Sequence, residues 1–119
     1  IVDELRAAWQ QPELLPLRPE VDVIDLDPAG VQRADPALVD AVVAEFARDG
    51  VTAARSQTYR LHPVAFSAEV ANRAPLVALT VELRRDVVMH WDPFVEMQVH
   101  AERARAAAAA LARAYLSVD

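Results

Sequence analysis

From Leu76 to Arg84 the chain runs through strand-forming residues with few polar breaks. At the two-residue period of a strand, Val77, Leu79, Val81 and Leu83 share one face, and Leu76, Ala78, Thr80 and Glu82 share the other. Both faces are apolar over most of the run, which predicts an interior strand of a parallel or mixed sheet. The second face turns small and polar toward Glu82, near the C-terminal end of the strand. Open α/β sheets take their ligands beyond such strand ends.

Upstream, Val21 to Leu26 has strand composition, and Asp22, Asp25 and Asp27 punctuate it in the manner of a solvated edge. Asp27-Pro28-Ala29-Gly30 closes that strand as a turn. A helix follows: Asp35 suits the N-cap, Pro36 the first helical position, and Gly50 the left-handed residue just past the end. Leu38, Val39, Val42, Val43 and Phe46 form its apolar stripe. Val51 to Tyr59 reads as a second strand, so strand, helix and strand make the unit from which parallel crossovers are built.

The flanks are less regular. Residues 1–10 suit a short helix, and Pro12, Pro16 and Pro19 then exclude regular structure as far as Glu20. Residues 60–75, broken by Pro63 and Pro75, are polar and suit a segment that covers a ligand crevice. Asp92-Pro93 repeats the cap-plus-proline start, and a long helix is expected from there to about Leu116. Its apolar side would hold Phe94, Met97, Ala101, Ala108, Leu111, Ala112 and Tyr115. The fold class is therefore α/β: a mixed, mostly parallel sheet flanked by helices, as one unit over residues 1–119.

Composition narrows the function. A chain of 119 residues supports one small core. The net charge of −6 argues against nucleic acid as a partner. There is no cysteine, which removes disulfides, thiol catalysis and thiolate metal sites. No apolar run reaches membrane-spanning length, so no membrane partner is expected. All basic residues are Arg and none is Lys, which fits coding bias from a GC-rich genome and carries no mechanism. The chain starts at Ile1 with no signal-peptide pattern, which suggests a piece of a longer, cytoplasmic polypeptide.

Glu82 is the sharpest candidate for chemistry. A carboxylate partly shielded at a strand end can act as a general base; equally, it can pair with Arg55, Arg60 or Arg85 and fix the sheet edge. Arg84 and Arg85 can grip a substrate carboxylate or simply face solvent. His62, His90 and His100 lack metal-site spacing; His100, on the last helix, suits a surface or packing role, and His62 a substrate contact. With only Gly30 and Gly50 there is no phosphate-cradling loop, and no Ser or Thr has a nucleophile-elbow context.

Several segments follow one another in a recognisable order. They are Arg18-Pro19-Glu20-Val21-Asp22-Val23-Ile24, Asp35-Pro36-Ala37-Leu38-Val39, the Asp49-Gly50 helix end, Ser56-Gln57-Thr58-Tyr59, and Ala78 to Met89 with its Glu82-Leu83-Arg84-Arg85-Asp86 core. Over roughly residues 18 to 94 the chain resembles the C-terminal half of the N-formylglutamate amidohydrolase family. The resemblance implies a fold like the zinc carboxypeptidases (phosphorylase/hydrolase-like), incomplete here because this is the C-terminal portion of a larger hydrolase domain. It also implies a zinc-dependent hydrolase that cleaves an amide bond of a small acyl-amino acid. By the same resemblance Glu82 is the catalytic base, Arg85 and Tyr59 handle substrate, and the zinc ligands lie outside this chain, in a missing N-terminal half or a partner chain; Arg84, from its own place at the strand end, is counted with the substrate-handling residues. The other reading of the residues is a non-catalytic or degenerate α/β interaction module whose Ala-rich last helix packs on a partner.

Overall fold

The structure, a computed structural model, describes residue 4 and residues 19–61, 79–89 and 98–118. Its sheet is built around β1 (Val21–Ile24), all four residues of which are buried. β2 (Ala53–Arg55) lies parallel to β1 on one side, and β3 (Thr80–Leu83) lies antiparallel on the other. The chain is therefore a small α/β unit with a mixed sheet in the order β2-β1-β3.

Register fixes what each face carries, because residues paired across strands project to the same side. Val21 is level with Ala53 and Leu83, and Val23 is level with Arg55 and Val81. This face packs on both described helices, α1 (Pro36–Arg48) and α2 (Ala101–Leu116). Asp22 is level with Ala54 and Glu82, and Ile24 with Thr80, on the opposite face. There the chain returns over β1: Leu61 packs on Ile24, and its N–H donates to the Leu26 carbonyl at 2.8 Å.

Helix α1 forms where its local signals place it. Asp35 Oδ1 accepts from the N–H groups of Ala37 at 2.8 Å and Leu38 at 3.4 Å, Pro36 opens the helix, and Gly50 follows the Asp49 cap at φ +74°. Leu38, Val39, Val42 and Phe46 are buried in the core, with Val43 packed at its margin. The Asp27–Gly30 turn is also as expected: the Gly30 N–H reaches the Asp27 carbonyl at 2.9 Å, and Gly30 takes φ +82°.

Three expectations are corrected. Among the described residues the interior strand is β1; of the 76–84 run, residues 80–83 form a strand antiparallel to it, and Leu76 to Ala78 lie outside the described residues. The second strand stops at Arg55 because Ser56 turns the backbone to φ +43°. The last helix begins at Ala101, where His100 caps it with Nδ1 accepting the Arg103 N–H at 3.3 Å, while Val99 pairs with Met89 in an isolated bridge. Asp92-Pro93, Phe94 and Met97 lie outside the described residues.

Helix α2 also turns a largely different side inward, with Leu111 of the expected stripe packed at the core margin. Ala107, Ala110 and Ala114 are buried against α1, whereas Ala101, Ala108, Ala112 and Tyr115 are exposed. Small side chains permit close helix approach, so the alanine stripe is selected and Leu116 is left 85% exposed. Ion pairs clamp the same junction, Arg113 Nε to Glu45 at 2.8 Å and Nη2 to Asp49 at 3.1 Å. No helix among the described residues is long and apolar enough to cross a membrane. The expected helix over residues 1–10, with only Glu4 described, and most of the proline-rich and covering segments lie outside the described residues.

Candidate functional site

The face opposite the described helices centres on Asp22, which is 2% exposed. A buried carboxylate needs donors to replace lost water. Gln57 and Thr58 supply them through their backbone N–H groups, to Oδ1 at 3.0 Å and to Oδ2 at 2.6 Å. Asp25, also 2% exposed, accepts the Ser56 hydroxyl proton on Oδ1 at 2.8 Å. The same hydroxyl oxygen accepts from the N–H groups of Asp25 at 3.0 Å and Leu26 at 2.9 Å. Ser56 N–H in turn donates to the Val23 carbonyl at 2.8 Å, carrying the parallel ladder one residue past β2.

Asp27 organises the next turn. Its Oδ1 accepts from Ala29 and Val31 N–H groups, each at 2.9 Å, and its Oδ2 from Arg33 Nε at 3.0 Å. The Val31 N–H, with help from Arg33, holds the Asp27 carboxyl below the usual carboxylate range against the opposing effect of desolvation. The expected solvated edge is thus overturned: Asp22, Asp25 and Asp27 are all buried. Alternation separates Asp22 from Val21 and Val23, but the returning segment closes over it and meets Asp22 and Asp25 with donors, while Asp27 is met by its own turn.

Glu82 lies in the same cross-strand row as Asp22 and is exposed. Because β3 runs antiparallel, its C-terminal end stands beside Val21, at the N-terminal end of β1. Glu82 is therefore at the opposite end from the crevice of the parallel pair, the place expected for it. Arg55 cannot be its partner: it projects from the other face and pairs with Asp40 of α1. Arg84 is held by Asp86 through Nε to Oδ1 at 2.6 Å and Nη2 to Oδ2 at 2.8 Å. That fork keeps the Asp86 carboxyl below its ordinary value and raises the Arg84 guanidinium.

Arg85 opens a short 3₁₀ turn, Arg85–Val87, and is exposed. Tyr59 is about half exposed and directly follows the two residues that donate to Asp22. The structure thus brings the Gln57–Tyr59 backbone, Asp22 and Glu82 to one face, and commits Arg84 to Asp86. His62 and His90 lie outside the described residues. The roles of Asp22, Asp25 and Ser56 are not among those expected from the sequence. A usable signal was present: carboxylates interleaved with Val and Ile in a strand that pairs on both sides require donors.

The residues described here do not fit zinc. No three His, Cys, Asp or Glu side chains among them gather around a common point, and the donors described above already occupy the buried aspartates. No protein-family model, curated protein or solved structure matches the chain.

Proposed function

We propose that the chain contributes part of the active site of an amide hydrolase of the N-formylglutamate amidohydrolase kind, acting on a small acyl-amino acid. What supports this reading is the place of Glu82 in one row with Asp22, on the face to which the Tyr59 turn is tied; Glu82 is exposed in this chain, so the shielding a general base needs is assigned to the rest of the polypeptide. Glu82 takes a proton from the attacking water and delivers it to the leaving amine nitrogen. Arg85, three residues further on and exposed, is the guanidinium assigned to the substrate carboxylate. Tyr59 lines the site, and Arg84, gripped by Asp86, steadies the turn from which Arg85 projects. The zinc that the resemblance implies belongs, in this reading, to residues outside the chain, in the rest of the polypeptide or a partner chain of a cytoplasmic enzyme.

The test is Glu82→Gln in the complete polypeptide, assayed on N-formylglutamate. Turnover falls by roughly a hundredfold or more, the scale of a lost general base, while the melting temperature holds. Activity within a few-fold of the parent overturns the assignment.

One observation favours a second reading, a non-catalytic interaction module. The C-terminal ends of the parallel β1–β2 pair, where α/β sheets take ligands, are occupied by the Asp25–Ser56 hydrogen bonds. A parent polypeptide that hydrolyses no acyl-amino acid, with Glu82→Gln indistinguishable from it, supports that alternative.

A further inference from the structure

We infer that Asp22 is a positioning residue: its buried carboxylate fixes the Gln57–Tyr59 backbone beside Glu82 and thereby sets where Tyr59 stands. The inference rests on the reading of Glu82 as base and Tyr59 as a site residue.

Its first support is economy of charge. A carboxylate in the middle of a fully buried strand is a poor stabiliser compared with an apolar residue of similar size. Asp22 moreover stands directly across from Glu82, and like charges opposite one another destabilise a sheet. For Asp22, the geometry of the turn it grips accounts for a carboxylate at a site where burial favours an apolar residue.

Its second support is over-determination. The turn that Asp22 grips through Gln57 and Thr58 is gripped independently through Ser56, whose hydroxyl makes three hydrogen bonds to Asp25 and Leu26. Ser56 is held at φ +43°, a strained conformation for a residue with a Cβ. Leu61 pins the far end of the segment to Leu26. Such strain persists only where surrounding contacts enforce it, and it concentrates at functional sites. The product of these contacts is a fixed turn whose Gln57 and Thr58 N–H groups meet Asp22, the residue paired across the sheet with Glu82.

The proposal is tested by NMR and kinetics on the complete polypeptide. In the parent, nuclear Overhauser contacts are expected between the Tyr59 ring and the Glu82 methylenes; their absence overturns the proposal without any variant. Asp22→Asn keeps the shape but turns an amide NH₂ toward one of the two N–H donors. Amide exchange at Gln57 and Thr58 then quickens, the Tyr59–Glu82 contacts weaken, and KM for N-formylglutamate rises roughly tenfold, about the worth of one hydrogen bond, with kcat nearly unchanged. Unchanged exchange and contacts in Asp22→Asn, or a fall in kcat with constant KM, overturn it. Should the parent show the contacts and the variant lose them while neither hydrolyses substrate, the positioning role stands and the amidohydrolase reading fails.

Discussion

Ser56 adopts a backbone conformation that costs a non-glycine residue about 1–2 kcal/mol, and its hydroxyl compensates by meeting three polar partners, two of them buried. The two effects separate by substitution. Ser56→Ala keeps the strain and orphans the partners, with an expected loss of about 3 kcal/mol. Ser56→Gly orphans the same partners but relieves the strain, and so ends up about 1 kcal/mol less damaging. Urea unfolding of both variants measures the gap; an alanine variant as stable as the glycine one removes strain from the account. None of this was readable from Ser56 itself. Its partners sit about thirty residues earlier, and a serine after a strand has no local mark that distinguishes a clasp from a turn.

At the scale of elements, legibility followed locality. Helix α1 was readable to within a residue because its cap, proline, stripe and terminal glycine all act within its own length. The parallel relation of β1 and β2 followed from the helix between them. The direction of β3 did not, because an apolar run looks the same whether its neighbour runs with it or against it. Helix α2 misled for another reason: with many alanines, volume and not hydrophobicity decides which side packs. Ala110 is fully buried at the α1 junction and Ala109 is exposed. Ala110→Leu is therefore expected to cost about 1–3 kcal/mol by overpacking, and Ala109→Leu close to nothing. Thermal melts of the two variants check this, and equal melting temperatures refute the packing described.

For the whole molecule, pH is the informative variable. Asp27, Glu45 and Asp86 are each held below their ordinary values, chiefly by the Val31 N–H, Arg113 and Arg84 respectively. Depressed carboxyls contribute fully above the unfolded-state values near pH 4, and their contribution is lost as pH falls through the folded-state values. The urea midpoint is therefore expected to stay level from about pH 7 to 5 and to decline below about pH 4. Added salt weakens the exposed Arg113 clamp on Glu45 and Asp49. A midpoint that rises on acidification contradicts these assignments.

The central place of β1 has a consequence for how the polypeptide is made. Its hydrogen-bonding partners begin at Ala53 on one side and Thr80 on the other, both later in the chain. During synthesis from the N-terminus, β1 leaves the ribosome first and waits with both edges bare until its neighbours emerge. For that interval Val21, Val23 and Ile24 lack their strand neighbours, and Asp22 and Asp25 place charge within the segment, which disfavours edge-to-edge pairing between copies.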